Sequence, residues 1–184
     1  MSRRDDIVAA AVDVFARHGF RQTSMDLVAQ AAAVSRPALY QYFRNKHDLF
    51  TAVAARVTDQ LVTAAQRARD AEGTLADRVY GVLLVKLDTA AGIAGTRFRQ
   101  ELIAQAGAMG LSPADDRLGD VLAQLLGGTA TPEPRETASV LLAATVGIGQ
   151  SEGGPDVLRR RLRRLVDLVI DGPAAARPPG APTP

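Results

Sequence analysis

Hydrophobic positions along this chain recur at helical spacing, and no segment alternates with the two-residue period of a strand. Ile7, Ala11, Val14, Phe15 and His18 share one face, and Gly19 stands where a C-terminal cap belongs, so a first helix is predicted over about residues 4–18. Thr23 or Ser24 can cap a short second helix that turns Leu27, Val28 and Ala31 inward. Ala32, Ala33 and Val34 form a tight connection, and Ser35 caps a third helix that tolerates Pro37 in its first turn. Asn45 interrupts the pattern before a longer helix over about 46–70, with Leu49, Phe50, Val53, Val57 and Leu61 on one face. Further helices are predicted from about 75 to 92, 96 to 108, 113 to 126, 135 to 150 and 156 to 171. No internal repeat is visible.

The expected fold is all-α, with about nine helices in two parts. A three-helix helix-turn-helix domain would occupy residues 1–47 and a helical bundle 48–171. The tail from 172 to 184, PAAARPPGAPTP after Gly172, has no apolar periodicity and is expected to be disordered.

Composition narrows the function classes. Aromatic residues make up only 4% of the chain, so the core must be mainly Leu, Val, Ile and Ala. With no Cys there is no disulfide, thiolate metal site or Cys nucleophile, which suits a reducing cytoplasm. The N-terminus reaches Asp5 and Asp6 before any apolar run and does not read as a signal peptide. The uncharged stretch from Thr137 to Ser151 is shorter than the roughly 18–20 residues that span a bilayer. His18 and His47 have no clustered carboxylates at ligand spacing, Asp115–Asp116 reads as a loop or first-turn placement rather than a catalytic dyad, and no phosphate loop or nucleophile elbow is present. No enzyme activity, metal or cofactor is expected.

The formal net charge is only +2, but residues 35–46 hold Arg36, Arg44 and Lys46 and no acid. Two short helices joined by a tight turn can hold the second at the angle a major groove requires. Arg36, in the first turn of that second helix, can bond guanine through both nitrogens. Pro37 and Ala38 can touch a thymine methyl, and Gln41 can reach a base or a phosphate. The hydroxyls of Tyr40 and Tyr42, the Lys46 ammonium and the N–H groups opening the preceding helix are suitable phosphate donors.

With Thr23, Val28-Ala29, Ala32, Val34-Ser35, Leu39-Tyr40, Tyr42-Phe43, Lys46 and Leu49 in this order, after His18-Gly19-Phe20, the segment resembles the TetR/AcrR family of bacterial regulators. The resemblance covers about residues 4–52. It departs at Ala33, where the family usually has Gly, so the turn must avoid a strongly positive φ or accept strain. It also departs at Pro37, which replaces Gly, Ala or Thr. The resemblance implies that Ser35, Arg36, Pro37, Ala38, Tyr40, Gln41 and Tyr42 line the recognition helix, while Thr23, Ser24 and Lys46 hold the DNA backbone. It also implies a homodimer on a roughly palindromic operator and an effector pocket between about residues 74 and 126. Tyr80, Lys86, Arg97, Phe98, Gln100 and Met109 are the pocket candidates, being polar or bulky in an Ala- and Leu-rich segment. An aliphatic or anionic effector is expected, because few aromatics are present to hold a cation.

The helix ASVLLAATVGIG is apolar nearly all round, and its small residues permit close approach of another helix. With the last helix and a second copy of both, it would form a four-helix dimer interface. The last helix sets Leu158, Leu162, Leu165, Val166 and Val169 against Arg159, Arg160, Arg161, Arg163 and Arg164. That Arg run reads as the solvated or rim face of an amphipathic helix, with a second nucleic-acid patch as the other reading. The leading expectation is a ligand-responsive transcriptional regulator, a repressor released by a small molecule. The alternative is an all-helical protein-interaction module without sequence-specific DNA binding.

Overall fold

The structure is a computed structural model that describes residues 2–93, 114–129, 133–170 and 172. Among the described residues there are eight helices and no strand: α1 (Arg3–Gln22), α2 (Met25–Ala31), α3 (Arg36–Tyr42), α4 (Lys46–Arg69), α5 (Leu75–Ile93), α6 (Ala114–Gly127), α7 (Pro134–Gln150) and α8 (Pro155–Ile170). The helix expected at 96–108 lies outside the described residues, as does the tail from 173 to 184. The chain falls into two units, one within residues 2–60 and the other formed by 61–92, 114–129 and 133–170.

In the first unit each helix begins on a side-chain cap. Ser2 Oγ accepts from the Asp5 N–H while the Ser2 N–H donates to the Asp5 carboxylate at 2.9 Å, which closes a capping box on α1. These bonds hold the Asp5 carboxyl below its usual range. Ser24, not Thr23, caps α2 by accepting from Leu27 N–H at 3.2 Å. Ser35 caps α3 through Ala38 N–H at 3.3 Å, with Pro37 inside the first turn. Asn45 caps α4 by accepting from Asp48 N–H at 2.9 Å, and Asp48 in turn accepts from Arg44 N–H.

The first helix runs past Gly19, but it kinks there. Gly19 takes φ 72° and ψ 168°, a conformation in which a side chain would be strained, and α1 resumes for one turn to Gln22. Thr23 then bonds back, donating its N–H and its hydroxyl to the Gly19 carbonyl, the latter at 2.7 Å.

The α2 stripe differs from the sequence expectation. Met25, Val28 and Ala29 are buried, Leu27 is half-buried, and Ala31 is exposed. Positions 25, 28, 29 and 32 form the inward row, related by the three- and four-residue spacing of one helix face.

The turn that follows is a two-bond helix terminus. Ala33 N–H donates to Gln30 O at 3.2 Å and Val34 N–H to Ala29 O at 2.9 Å, with Ala33 itself at φ 51°. The chain therefore accepts the strain of a left-handed alanine where glycine is the usual solution.

The core of this unit is aromatic. Phe15, Phe20, Phe43 and Phe50 are buried with Ile7, Leu39, Leu49 and Val53. Phe50 meets Phe15 and Phe20 edge to face, at centroid separations of 5.2 and 5.0 Å. The second unit has a wholly aliphatic buried core, drawn from Leu61 and Val62 of α4, Val79 to Leu87 of α5, Leu118 to Leu126 of α6, Leu141 of α7, and Leu158, Leu162 and Val166 of α8. Gly81 lets α5 approach α4 closely, since a Cβ there would lie 3.2 Å from the Ala68 Cβ.

Two predictions follow from these junctions. Ala33→Gly relieves the left-handed strain but adds freedom to the unfolded chain, so a net gain of about 0.5–1 kcal/mol is expected in denaturant unfolding. The second concerns the start of α5, where the Asp77 carboxylate accepts from the Thr74 hydroxyl at 2.7 Å, from Arg163 at 2.7 Å and from the Thr74 N–H at 3.1 Å. These bonds lower its pKa from 3.8 to about 2. Folding thus favours the charged form, and its contribution is full above about pH 4 and fades as the pH falls to about 2. Asp77→Asn should lower Tm at neutral pH, and its difference from the wild type should close across that acid window.

Candidate nucleic-acid interface

The helix-turn-helix turns one face of α3 into the core and leaves the other bare. Leu39 and the capping residue Phe43 are fully buried. On the outside, Ser35, Arg36, Pro37, Tyr40, Gln41 and Tyr42 are exposed and Ala38 is half-buried. The two tyrosines stand out, with Tyr40 42% and Tyr42 40% exposed, in a unit that otherwise hides its rings. Arg36 lies 5.7 Å from the centroid of the Tyr40 ring and pairs with Asp26 of α2 at 3.2 Å. The exposed surface of α3 therefore presents a guanidinium, an amide and two phenols, groups suited to base edges and phosphates.

Ser24 and Ser35 are exposed, and each spends a hydroxyl lone pair on its own helix cap while keeping its proton to donate. Two expected backbone contacts are placed differently. Thr23 is buried, and its hydroxyl is already given to Gly19 O. Lys46 points inward: its ammonium donates to the carbonyls of Phe20 at 2.8 Å, Thr23 at 2.9 Å and Arg21 at 3.3 Å, and lies 4.5 Å from the Phe20 ring centroid. An ammonium has three protons, and here three carbonyls at the end of α1 receive them. Both side chains thus make contacts inside the unit, at the end of α1.

Three residues that the sequence reading passed over also border this face. Arg3 reaches the Ala33 carbonyl at 3.5 Å, Arg4 lies 5.0 Å from the Phe43 ring centroid, and Asp26 holds Arg36. The Arg pair at 3–4 is visible as charge, but its partners lie some thirty to forty residues away, beyond the reach of helical periodicity.

In the second unit, Tyr80 is half-buried against the core, with the Arg163 guanidinium 5.4 Å from its ring centroid, and Lys86 is half-buried. Arg97, Phe98, Gln100 and Met109 lie outside the described residues. An open groove of about 510 Å³ runs along α6 and α7, between Asp116, Asp120, Arg135, Ser139, Leu142 and Val146. It contains neither Tyr80 nor Lys86. The Arg run of α8 is largely engaged within its own unit. Arg159 forks onto Asp88 at 3.1 Å, Arg163 bonds Asp77 and Asp167, and Arg161 bonds Ser151 and the Glu152 carbonyl. Acids on α5 and on α8 itself thus pair two of the five arginines, Arg159 and Arg163. Among the described residues no group of three His, Asp or Glu side chains could hold a metal, and no helix is long and apolar enough to cross a membrane.

Comparison with known proteins bears on the same segment. Residues 7–53 match the family model described as bacterial regulatory proteins, tetR family. The transcriptional activator FasR of Mycolicibacterium smegmatis is 41% identical over 66 residues, which are 36% of this chain and 30% of that protein. A probable acrEF/envCD operon repressor of Escherichia coli is 38% identical over 50 residues, 27% of this chain and 23% of that protein. The chain thus spans less than a third of the length of these two curated relatives. A solved TetR-like transcriptional regulator from Rhodococcus sp. RHA1 superposes with a TM-score of 0.64 at 27% identity, covering 92% of this chain and 96% of that one.

The Lys46 contacts make a stability prediction. Lys46→Met leaves three carbonyls at the end of α1 without their donor and should cost about 1–3 kcal/mol in chemical unfolding. Lys46→Arg should restore little, because a planar fork does not match three converging acceptors.

Proposed function

We propose, from the premise that this chain belongs to the TetR family of bacterial regulatory proteins, that it is a ligand-responsive transcriptional regulator acting on double-stranded operator DNA. The observation that carries the proposal is the outer face of α3, where Arg36, Tyr40, Gln41 and Tyr42 stand exposed on a unit whose internal polar groups are satisfied. Arg36 supplies base discrimination, Pro37 and Ala38 offer apolar contact to a thymine methyl, and Gln41 serves a base or a phosphate. Ser24, Ser35, Tyr40 and Tyr42 bind phosphates through their hydroxyl protons and fix register. Thr23 and Lys46 act indirectly, by holding the end of α1 against the start of α4.

The chain works as a cytoplasmic homodimer in this proposal. On α7, Val140 is 56% exposed, with Ala143 and Gly147 bare beside it, and on α8 Leu168 and Val169 are exposed at 41% and 44%. Pairing these helices with their copies covers that apolar surface and sets two recognition helices about 34–36 Å apart, one helical turn of DNA. The operator is then palindromic. An effector bound in the second unit, with Tyr80 and Lys86 and with Arg97, Phe98, Gln100 and Met109 as candidate contacts, shifts α4 and changes that spacing. DNA and effector must weaken each other's binding by the same factor. We propose repression as the sense of control. The two curated relatives are named for opposite senses, and both names are regulatory, which favours this reading over a protein-interaction module.

The test is fluorescence anisotropy with duplexes taken from the DNA flanking the gene. Binding to one palindrome, weakened by salt and lost when the site is halved, is expected. No binding to any flanking duplex at low salt would contradict the proposal. Arg36→Ala should lower discrimination at one base pair of each half-site by about tenfold, while the salt dependence stays nearly the same. Equal loss on every sequence would assign Arg36 to a phosphate instead.

A further inference from the structure

From Gln22 to His47 the sequence holds a single acid, Asp26. It occupies the second position of α2, and its Oδ2 accepts from Nη1 of Arg36, the first residue of α3, at 3.2 Å. Both side chains are about 60% exposed, so the pair is a solvated one. A pair of this kind adds little to folding. Its position is also unfavourable for simple DNA affinity, because a carboxylate on the face that meets a polyanion repels it. A surface selected only for tight binding to phosphates would not keep an acid there.

The pair does have one geometric effect. Asp26 holds one side of the guanidinium and the Tyr40 ring lies 5.7 Å from its centre, so the side chain is bounded from two directions. A free arginine on a helix surface can swing to whichever phosphate is near, and that motion yields affinity without sequence information. A tethered one keeps its remaining donors outward, toward base edges.

We propose that Asp26 is a positioning residue for base readout: it restrains Arg36 and makes phosphate-only binding less favourable, trading affinity for discrimination. The inference rests on the DNA-binding reading above. A purely local role is also available to Asp26, since an acid in the first turn of a helix is favoured by the helix dipole. That role would change Tm and leave base preference untouched.

The experiment uses the full chain and a consensus duplex selected by the wild type from a randomised pool. Affinities are measured for the consensus and for each single base-pair change, with wild type, Asp26→Asn, Asp26→Glu, Arg36→Ala and the Asp26→Asn/Arg36→Ala double variant. Tm values serve as folding controls. Asp26→Asn should bind every duplex more tightly and should reduce the preference at the Arg36-dependent base pair by about tenfold. Asp26→Glu should recover part of that preference. In the Arg36→Ala background Asp26→Asn should remove no further preference, because the arginine it acts through is gone. The inference is overturned if Asp26→Asn keeps the wild-type preference at every position, or if it loses as much preference without Arg36 as with it. A wild type that shows no salt-sensitive binding to any duplex overturns the DNA-binding reading and this inference together, whereas normal wild-type selectivity with an unchanged Asp26→Asn overturns this one alone.

Discussion

The first unit depends on the Lys46 ammonium, set beneath the last carbonyls of α1 and against the Phe20 ring. Those carbonyls sit at the negative end of a helix, and a point charge with three protons suits them well. The contact joins the first residue of α4 to the end of α1 and so closes the chain around α2 and α3. The kink at Gly19 brings the carbonyls of Phe20, Arg21 and Thr23 to the ammonium, and Phe20 in turn packs on Phe15, Phe50 and His47. Among the described residues no buried side-chain polar atom is left without a partner.

The two units solve the problem of burial differently. A unit of some sixty residues has little interior, and here all the aromatic residues except Tyr80 and Phe98 fall before residue 51. Rings bury large areas per residue and their edge-to-face contacts fix mutual orientation, which suits a unit that must hold a short helix rigidly. Among the described residues the second unit draws on five helices, and its buried hydrophobic cluster is Leu, Val and Ala, with Thr145 buried beside it. Its charged shell is organised by Asp77 and Asp88 of α5, which receive Arg163 and Arg159 of α8. Two arginines of a conspicuous basic run are thereby paired within their own unit.

Much of this was legible in the chain. Short-range rules identify Ser35 and one of Thr23 and Ser24 as caps, Asn45 reads only as an interruption although it caps α4, and Gly19 marks the end of the straight part of α1. The departure at Ala33 also announced a choice between avoiding positive φ and accepting strain, and the structure takes the second course. What spacing does not reveal is direction. Lys46 is two dozen residues from its acceptors, so its charge read as a surface group although it turns inward. Asp26 and Arg36 lie on different short helices, and their pairing depends on the angle of the turn between them. Ala31 missed the core because the α2 face turned inward is the row of Met25, Val28 and Ala29, and spacing alone does not choose between adjacent rows. The effector candidates at 97, 98, 100 and 109 lie outside the described residues, so that part of the expected site rests on sequence alone.

Whether the outer face of α3 is the surface that duplex DNA covers can be tested most directly by hydroxyl-radical footprinting of the full chain, with and without a bound duplex. The two exposed phenols are natural reporters, and the half-buried Tyr80 of the second unit serves as an internal reference. Strong protection of Tyr40 and Tyr42 on DNA binding, with Tyr80 unchanged, is the predicted result. Bound DNA that leaves both tyrosines as reactive as before would contradict it.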